Sequence, residues 1–216
     1  MYTLHYFPGN ANLVPHMLLE EIGAPYELAF VDRDNNAHAS PEYLKLNPAG
    51  RIPVLIDPEL DLVLFETAAI ALHLADRHPD CNLAPPLATK ARATMLKWLM
   101  YLTNTLQAEL MLYFYPARLT GGDEALAAVV KREAERRVCG MLDILDAELL
   151  HSRGPWLLGE QYTIVDPYLL MLSRWTRMMA RPARELPHLR DFLGAMTARP
   201  AVQRTFEMEQ LPQPWY

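Results

Sequence analysis

A proline-rich stretch divides this sequence into two halves with different patterns, and that division constrains the fold most. Between the halves lie Pro79, Pro85 and Pro86, and because proline fixes φ and lacks a backbone N–H, such a stretch is typical of a stiff linker. Strand-like and helix-like patterns alternate before it, whereas only helical periodicity follows it. We therefore predict a first domain of residues 1–78, a linker of residues 79–88 and a second domain of residues 89–216.

The first domain opens with a strand–helix–strand pattern. Residues 1–7 and 26–31 alternate in the manner of strands, and apolar residues recur at helical spacing over residues 13–22, after which Gly23 ends the helix. A crossover of this length predicts that the two strands pair in parallel through a right-handed connection.

A short helix and a hairpin come next. Ser40 followed by Pro41 is typical of a helix start. Two strands, over residues 54–56 and 61–65, are separated by a tight turn, and this spacing predicts an antiparallel hairpin.

The last helix of this domain covers residues 68–76. We expect Thr67 to cap it, and we expect Ala69 and Leu72, with Ala75 or Asp76, to lie along one side. Strands and helices therefore alternate through these residues, which predicts a small α/β domain.

The second domain contains predicted helices and no predicted strand. Thr163 and Asp166 have the spacing of a capping box in which Asp replaces the usual Glu or Gln. The fold class is therefore α/β followed by an all-α helical bundle. The predicted helices cover residues 89–113, a long segment that Asp123 caps, and residues 167–175, 187–198 and 200–206.

Charge and composition exclude several classes of function. The sequence has 20 basic and 26 acidic residues, a formal net charge of −6, which argues against a nucleic-acid-binding surface. No apolar run approaches the roughly 18 residues of a membrane span, and the start lacks a signal-peptide pattern, so we expect a soluble, cytoplasmic protein with no membrane partner. Cys81 and Cys139 are far apart, which predicts neither a disulfide framework nor a metal site and fits a reducing compartment.

Ile52 and Pro53 stand at the start of the third strand, the position where a sheet tolerates a residue without an N–H. An Ile–Pro bond can be cis at little cost, and cis prolines concentrate in tight, functionally used turns. A cis bond would leave the N–H and C=O of Ile52 free to pair with an extended peptide. Thr67 and the free N–H groups of the next helix favour a carboxylate. Together the two segments predict a site for a small peptide that bears carboxylates.

Four short motifs follow one another along the chain. They are Pro8-Gly9-Asn10-Ala11-Asn12-Leu13-Val14-Pro15-His16, then Asn47-Pro48 with Arg51-Ile52-Pro53-Val54-Leu55, then Glu66-Thr67-Ala68-Ala69-Ile70, and finally Thr163-Ile164-Val165-Asp166. In this order, with the linker in its place, the whole chain resembles the cytosolic glutathione transferases, particularly bacterial members near the beta and theta classes. The resemblance implies a thioredoxin-like first domain, a helical second domain, glutathione as co-substrate and a homodimer.

The resemblance also implies which residues bind glutathione. Ile52, before a cis Pro53, would exchange main-chain hydrogen bonds with the cysteinyl part. Glu66 and Thr67 would hold the γ-glutamyl end, because an ammonium group needs a carboxylate and a hydroxyl at a helix start suits a carboxylate. The family commonly has Ser at the position of Thr67, and this change keeps the oxygen.

Two further residues are expected at the glycyl end of glutathione. His38 lies fifteen residues before Pro53, a spacing seen in theta-like members, and Arg51 would act there through its charge. Simpler interpretations compete with both assignments. His38 could be an exposed loop residue, and Arg51 could be a solvated turn residue.

The catalytic loop departs from the family pattern. The family uses the glutathione thiolate, and lowering a thiol pKa by two units from about 8.5 requires about 2.7 kcal/mol. Related bacterial classes supply Cys or Ser where this chain has Ala11 and Asn12. Because an asparagine NH₂ group can donate to sulfur, we predict Asn12 as the catalytic donor and Asn10 as its substitute. An asparagine in such a turn also often bonds its own backbone.

The second substrate is expected to be a small hydrophobic electrophile, bound between this loop and the first helices of the second domain. Residues 111–116 are dense in aromatic side chains, which make adaptable apolar walls. Tyr113 is the residue that we expect to contact this substrate. The alternative is that these aromatic residues belong to the core or to a dimer interface.

Three functions stay open at this point. The first is glutathione conjugation, and the second is other glutathione-dependent chemistry, namely isomerisation, reductive dehalogenation or disulfide reduction. The third is a non-enzymatic interaction protein with the same fold. The missing Cys and Ser favour the third, whereas Ile52-Pro53 and Glu66-Thr67 argue against it.

Overall fold

The computed structural model describes all residues from 1 to 216, and the chain forms two compact units. The α/β unit contains residues 1–84 and residues 197–215, and the helical unit contains residues 85–196 with Tyr216. The chain changes unit between Ala84 and Pro85, inside the segment predicted as a linker. The C-terminus differs from the predicted division, because residues 197–215 belong to the first unit.

Four strands and nine α-helices make up the two units, and the fold class is the predicted one. The strands are β1 (Tyr2–Tyr6), β2 (Tyr26–Phe30), β3 (Val54–Asp57) and β4 (Leu62–Phe65). The helices are α1 (Leu13–Ile22), α2 (Pro41–Leu46), α3 (Thr67–Arg77), α4 (Lys90–Tyr101), α5 (Ala108–Phe114), α6 (Glu124–Ser152), α7 (Val165–Trp175), α8 (Pro187–Thr197) and α9 (Pro200–Met208).

The sheet of the α/β unit has the strand order β2-β1-β3-β4. Strands β1 and β2 are parallel, with Leu4 opposite Leu28, and β3 is antiparallel to both β1 and β4. The predicted parallel pair and the predicted hairpin are therefore both confirmed. Strand β3 is central, and its Val54 and Leu55 are completely buried, which explains the continuous apolar run at this point of the sequence.

Local signals place most helix ends correctly. Gly23 adopts a positive φ of 69° and donates its N–H to the carbonyl of Leu19 at 2.9 Å, so it is the predicted C-terminal glycine of α1. The hydroxyl of Ser40 accepts from the N–H of Tyr43 at 3.2 Å and caps α2, as predicted.

Helix α3 differs from its prediction in two respects. Thr67 is its first residue rather than its cap, and Glu66 occupies the cap position without a side-chain hydrogen bond. The buried residues of α3 include Ile70, Ala71, Leu74 and Ala75. Of the predicted stripe, only Ala75 is therefore buried, while Ala69 and Leu72 are half-buried. Alanine and leucine occur on more than one side of this helix, and periodicity alone could not choose between the sides.

Helix α9 returns to the α/β unit and packs on α1. Two ion pairs flank this contact: the guanidinium of Arg199 donates to Glu21 at 2.6 and 2.8 Å, and Arg204 donates to Glu20 at 2.6 Å. Val202 and Phe206 of α9 are buried. An amphipathic helix with this apolar side is held to α1 by burial, and the ion pairs set its register.

The helical unit is built around long helices with the predicted apolar stripes. Helices α4 and α5 are joined by a π-helical segment, Leu102–Gln107, so residues 90–114 form one almost continuous helix. The carboxylate of Asp123 accepts from the N–H of Leu126 at 3.0 Å and caps α6 as predicted. None of the helices combines the length and the apolar character that crossing a bilayer would require. The predicted stripe is completely buried at Met95, Leu99, Leu102, Leu106 and Leu110.

Candidate functional site

One end of the sheet collects three of the four sequence motifs. Strands β1 and β4 end there and β3 begins there, because β3 is antiparallel to both, with Val54 opposite His5 and also opposite Phe65. The loop of residues 7–12, which follows β1, therefore lies at the same end as Ile52-Pro53 and Glu66-Thr67. The topology alone brings these segments to one edge.

Ile52 presents an unpaired backbone at this edge. Its peptide bond to Pro53 is cis, and its N–H and C=O make no hydrogen bond within the chain, since pairing of β3 begins at Val54. The preceding carbonyl, that of Arg51, accepts from the Asn47 side-chain NH₂ at 2.7 Å and the Tyr43 hydroxyl at 2.9 Å. The Asn47 motif thus holds the backbone just before the unpaired residue.

Glu66 has a backbone conformation that side chains rarely adopt. Its φ is 73° and its ψ is 111°, outside the regions allowed to most L-residues, while its side chain is exposed to solvent. Such conformations cost about 1–3 kcal/mol and concentrate at ligand sites. Because the Glu66 side chain is exposed, its packing does not stabilise this backbone conformation. The conformation therefore favours a functional role for Glu66.

Thr67 connects the start of α3 to the loop after β1. Thr67 is 5% exposed, and its hydroxyl donates to the carbonyl of Ala11 at 3.5 Å. This contact is long for a hydrogen bond, so the hydroxyl is free to exchange it for a better acceptor. Thr67 and the loop are therefore neighbours, as the predicted site requires.

Asn12 is held inside the α/β unit. It has no exposed surface, its side-chain oxygen accepts from the N–H of Phe7 at 3.2 Å, and its NH₂ group donates to a carboxylate oxygen of Glu209 at 2.8 Å. Direct donation from Asn12 to a ligand sulfur stays a prediction. The geometry favours a role for this side chain in shaping the loop.

Asn10 is the other candidate donor, and it is partly exposed. Its side-chain oxygen accepts from the guanidinium of Arg33 at 2.8 Å. Arginine has no acceptor atom, so this contact fixes which end of the amide is oxygen and leaves the NH₂ group on the other side. That group makes only a 3.5 Å contact with the carbonyl of Pro8, which leaves it available to a ligand.

A buried cluster that the sequence did not predict lies behind the loop. The two carboxylate oxygens of Glu209 accept from the N–H of Gly9 at 2.9 Å and from the Asn12 NH₂ group. The oxygen that bonds Asn12 also lies 2.7 Å from Nδ1 of His16, and His16 Nε2 lies 3.0 Å from the hydroxyl of Tyr26. No local pattern indicates these partners, because Glu209 is about two hundred residues away along the chain.

The outer end of this cluster carries two shifted pKa values. Burial and the hydrogen bond to Glu20 raise the pKa of Tyr26 well above its usual value. Burial opposes ionisation of Glu20, yet hydrogen bonds from Arg204 and Tyr26 lower the pKa of that carboxyl below its usual value. Tyr26 therefore stays protonated near neutral pH, and its hydroxyl donates a hydrogen bond to the carboxylate of Glu20.

His38 and Arg51 precede Ile52 in the sequence, whereas Glu66 follows it. The Nδ1 atom of His38 is buried and has no hydrogen-bond partner. A Cβ atom added to Gly50 would lie 3.1 Å from the carbonyl oxygen of His38, so the two loops are in contact. The side chain of Arg51 is exposed. The backbone at Gly50 thus connects His38 with the segment that contains Arg51 and Ile52.

Tyr113 belongs to the helical unit, not to this group of residues. It is buried, its ring packs edge-on against that of Phe114, and the ammonium group of Lys131 lies 4.8 Å from its ring centre. Burial raises the pKa of Tyr113. These contacts explain the residue by packing, and its contact with a second substrate stays a prediction.

Comparison with known families matches both units. Residues 1–76 match the family model described as glutathione S-transferase, N-terminal domain, and residues 101–200 match the model described as glutathione S-transferase, C-terminal domain.

Side chains suited to metal binding do not gather in this chain: no group of three or more His, Cys, Asp or Glu residues could hold an ion.

Individual relatives extend over nearly the whole chain. Glutathione S-transferase 3 of Zea mays is 34% identical over 206 residues, which cover 91% of this chain and 89% of that protein. GstA, a glutathione S-transferase of Escherichia coli O157:H7, is 30% identical over 209 residues, with 96% and 98% covered. A crystal structure of a glutathione transferase homologue from Sulfitobacter with bound glutathione superposes with a TM-score of 0.89 at 27% identity, and covers 98% of this chain and 99% of that one.

Proposed function

Because this chain belongs to the glutathione S-transferase family, we propose that it binds glutathione and transfers the glutathione sulfur to small apolar electrophiles. The unpaired N–H and C=O of Ile52 carry this proposal, since they offer the two main-chain hydrogen bonds that an extended peptide needs. Glutathione would lie edge-on against Ile52, as an added strand does.

The charged ends of glutathione have suitable partners on either side of Ile52. The exposed carboxylate of Glu66 would bind the γ-glutamyl ammonium group, and Thr67 with the N–H groups that start α3 would bind the neighbouring carboxylate. His38 and Arg51 would bind the glycyl carboxylate, and the unpartnered Nδ1 of His38 supports this assignment. The family relationship also supports a homodimer.

The sulfur would lie beside the start of α1. The hydrogen bonds of the loop leave the N–H groups of Ala11 and Asn12 without an acceptor, and the helix dipole adds a positive potential there. Among side chains, the NH₂ group of Asn10 is the donor that we propose for the thiolate, because Arg33 fixes the orientation of its amide. Asn12 would act from behind the loop.

Binding and chemistry can be tested separately. We expect immobilised glutathione to retain the protein, and we expect ultraviolet difference absorbance to detect a bound thiolate near pH 7. Failure of retention would contradict the proposal as a whole. Retention without a thiolate signal would instead support a second candidate function, glutathione binding without transfer, which the missing Cys and Ser in the loop favour.

Asn10→Ala should raise the pKa of the bound thiol by about one unit and lower kcat/KM about tenfold. The reason is that a hydrogen bond to a charged group contributes about 1.5–3 kcal/mol, and one pKa unit corresponds to about 1.4 kcal/mol. A pH titration of the thiolate absorbance measures the first effect. Asn35→Ala is the matched control, since Asn35 is exposed and bonds only Asp32. An unchanged titration in Asn10→Ala would remove Asn10 from the mechanism.

A further inference from the structure

Glu209 bonds three separate points of the loop and of the helix that follows it. One carboxylate oxygen accepts from the N–H of Gly9 at 2.9 Å, and the other accepts from Asn12 at 2.8 Å and contacts His16 at 2.7 Å. All these groups belong to the α/β unit. One carboxylate from the C-terminal end of the chain therefore fixes the middle of the loop, its last residue and the first turn of α1.

The carboxyl group of Glu209 is fully buried, so its oxygens need hydrogen-bond partners inside the protein. Gly9 and Asn12 donate to it, and Nδ1 of His16 makes the third contact. His16 is itself fully buried, and its Nε2 lies 3.0 Å from the hydroxyl of Tyr26. The polar atoms of both buried side chains are therefore paired within the cluster, which holds Glu209 in one position.

The conformation of Gly9 is one that glycine itself does not favour over others. Its φ of 74° is in the left-handed region, where glycine is free to enter but equally free to leave. Its N–H has Glu209 as a charged acceptor, and the side chain of Leu211 lies 3.6 Å from the position of a Cβ on Gly9. The residues that follow α9 thus select one conformation of a loop that glycine would otherwise leave mobile.

We propose that Glu209 is a positioning residue for the thiolate site, which it shapes through Gly9 and Asn12 from the C-terminal end of the chain. This inference rests on the proposed function. Glu209 does not touch glutathione in this scheme. It holds the loop so that Asn10 and the free N–H groups before α1 stay where the sulfur would lie, and the C-terminal segment becomes part of the catalytic apparatus.

The N–H of Gly9 can be observed alone, because Pro8-Gly9 is the one Pro-Gly pair among the nine glycines of the sequence. Labelling prolines with ¹³C at the carbonyl and glycines with ¹⁵N therefore selects a single amide by NMR. In the full-length protein we expect this amide to exchange with solvent at least ten times more slowly than in Glu209→Gln. The same variant should raise the pKa of bound glutathione by about one unit and lower kcat/KM about tenfold.

Glu207→Gln is the matched control, since Glu207 is exposed in the last turn of α9, two residues before Glu209, and its substitution removes the same charge. This substitution should change neither the exchange rate of the Gly9 amide nor the pKa of bound glutathione. The proposal is overturned if Gly9 exchanges quickly in the wild type, or if Glu209→Gln binds glutathione and leaves the thiol pKa unchanged. If Glu209→Gln does not fold, Glu209→Asp is the second variant, since its shorter side chain keeps the charge but moves the carboxylate away from the loop. Glu209→Asp must then show both the faster exchange of the Gly9 amide and the raised pKa of bound glutathione. If wild-type protein binds no glutathione, the proposed function fails, and the Gly9 exchange rate still decides whether Glu209 anchors the loop.

Discussion

Replacing Glu66 by glycine should stabilise the protein by about 1 kcal/mol and weaken glutathione binding at least tenfold. The φ of 73° at Glu66 costs about 1–3 kcal/mol for a residue with a Cβ, and glycine adopts it freely at an entropic cost of about 0.5–1 kcal/mol. Loss of the carboxylate removes a charged hydrogen bond to the ligand ammonium, about 1.5–3 kcal/mol. Urea unfolding and titration calorimetry measure the two effects.

Two control variants separate the backbone effect from the charge effect. Glu66→Gln keeps the strained backbone and removes the charge, so stability should be unchanged while binding still weakens. Asp61→Gly places glycine at another exposed position of positive φ, 50°, in the β3–β4 turn, and binding should be unchanged. A Glu66→Gly protein that binds glutathione normally would show that the conformation of Glu66 has no role in this ligand site.

Much of this site could be predicted because its signals are local. A proline marks the residue where β3 can begin, and strand directions then bring the segments near residues 9, 52 and 66 to one edge. Each step uses neighbours in the sequence or a general rule of sheet topology. The same reasoning located α1 to the residue, because Gly23 ends it and apolar spacing defines it.

The unpredicted parts depend on contacts between distant residues. The side chain of Asn12 bonds Glu209, 197 residues away along the chain. The burial of Ile70 rather than Ala69 on α3 depends on which side faces the sheet. A sequence with apolar residues on several sides of a helix does not encode that choice locally, and a polar residue in a turn does not show where its partner lies.

The segment before α7 gives the largest stability prediction, because the structure keeps only one half of the predicted capping box, the bond from the N–H of Thr163 to the carboxylate of Asp166. The carboxylate of Asp166, fully buried, accepts from the N–H of Thr163 at 2.7 Å and from the N–H of Leu157 at 2.9 Å. The Thr163 hydroxyl makes only a 3.4 Å contact with that carboxylate, and the N–H of Asp166 donates to the Thr163 carbonyl. Asp166 therefore satisfies both buried N–H groups, and the threonine hydroxyl contributes little.

We expect Asp166→Ala to lower the free energy of unfolding by about 3–5 kcal/mol, because two buried N–H groups lose a charged acceptor and nothing replaces it. Thr163→Val keeps the volume and removes only the hydroxyl, so it should cost at most about 1 kcal/mol. Asp191→Ala, at an exposed position of α8, controls for loss of charge and should change stability by less than about 0.5 kcal/mol. Urea unfolding of the full-length variants measures all three. Equal losses in Thr163→Val and Asp166→Ala would show that the hydroxyl contributes as much as the carboxylate, as it does in a complete capping box.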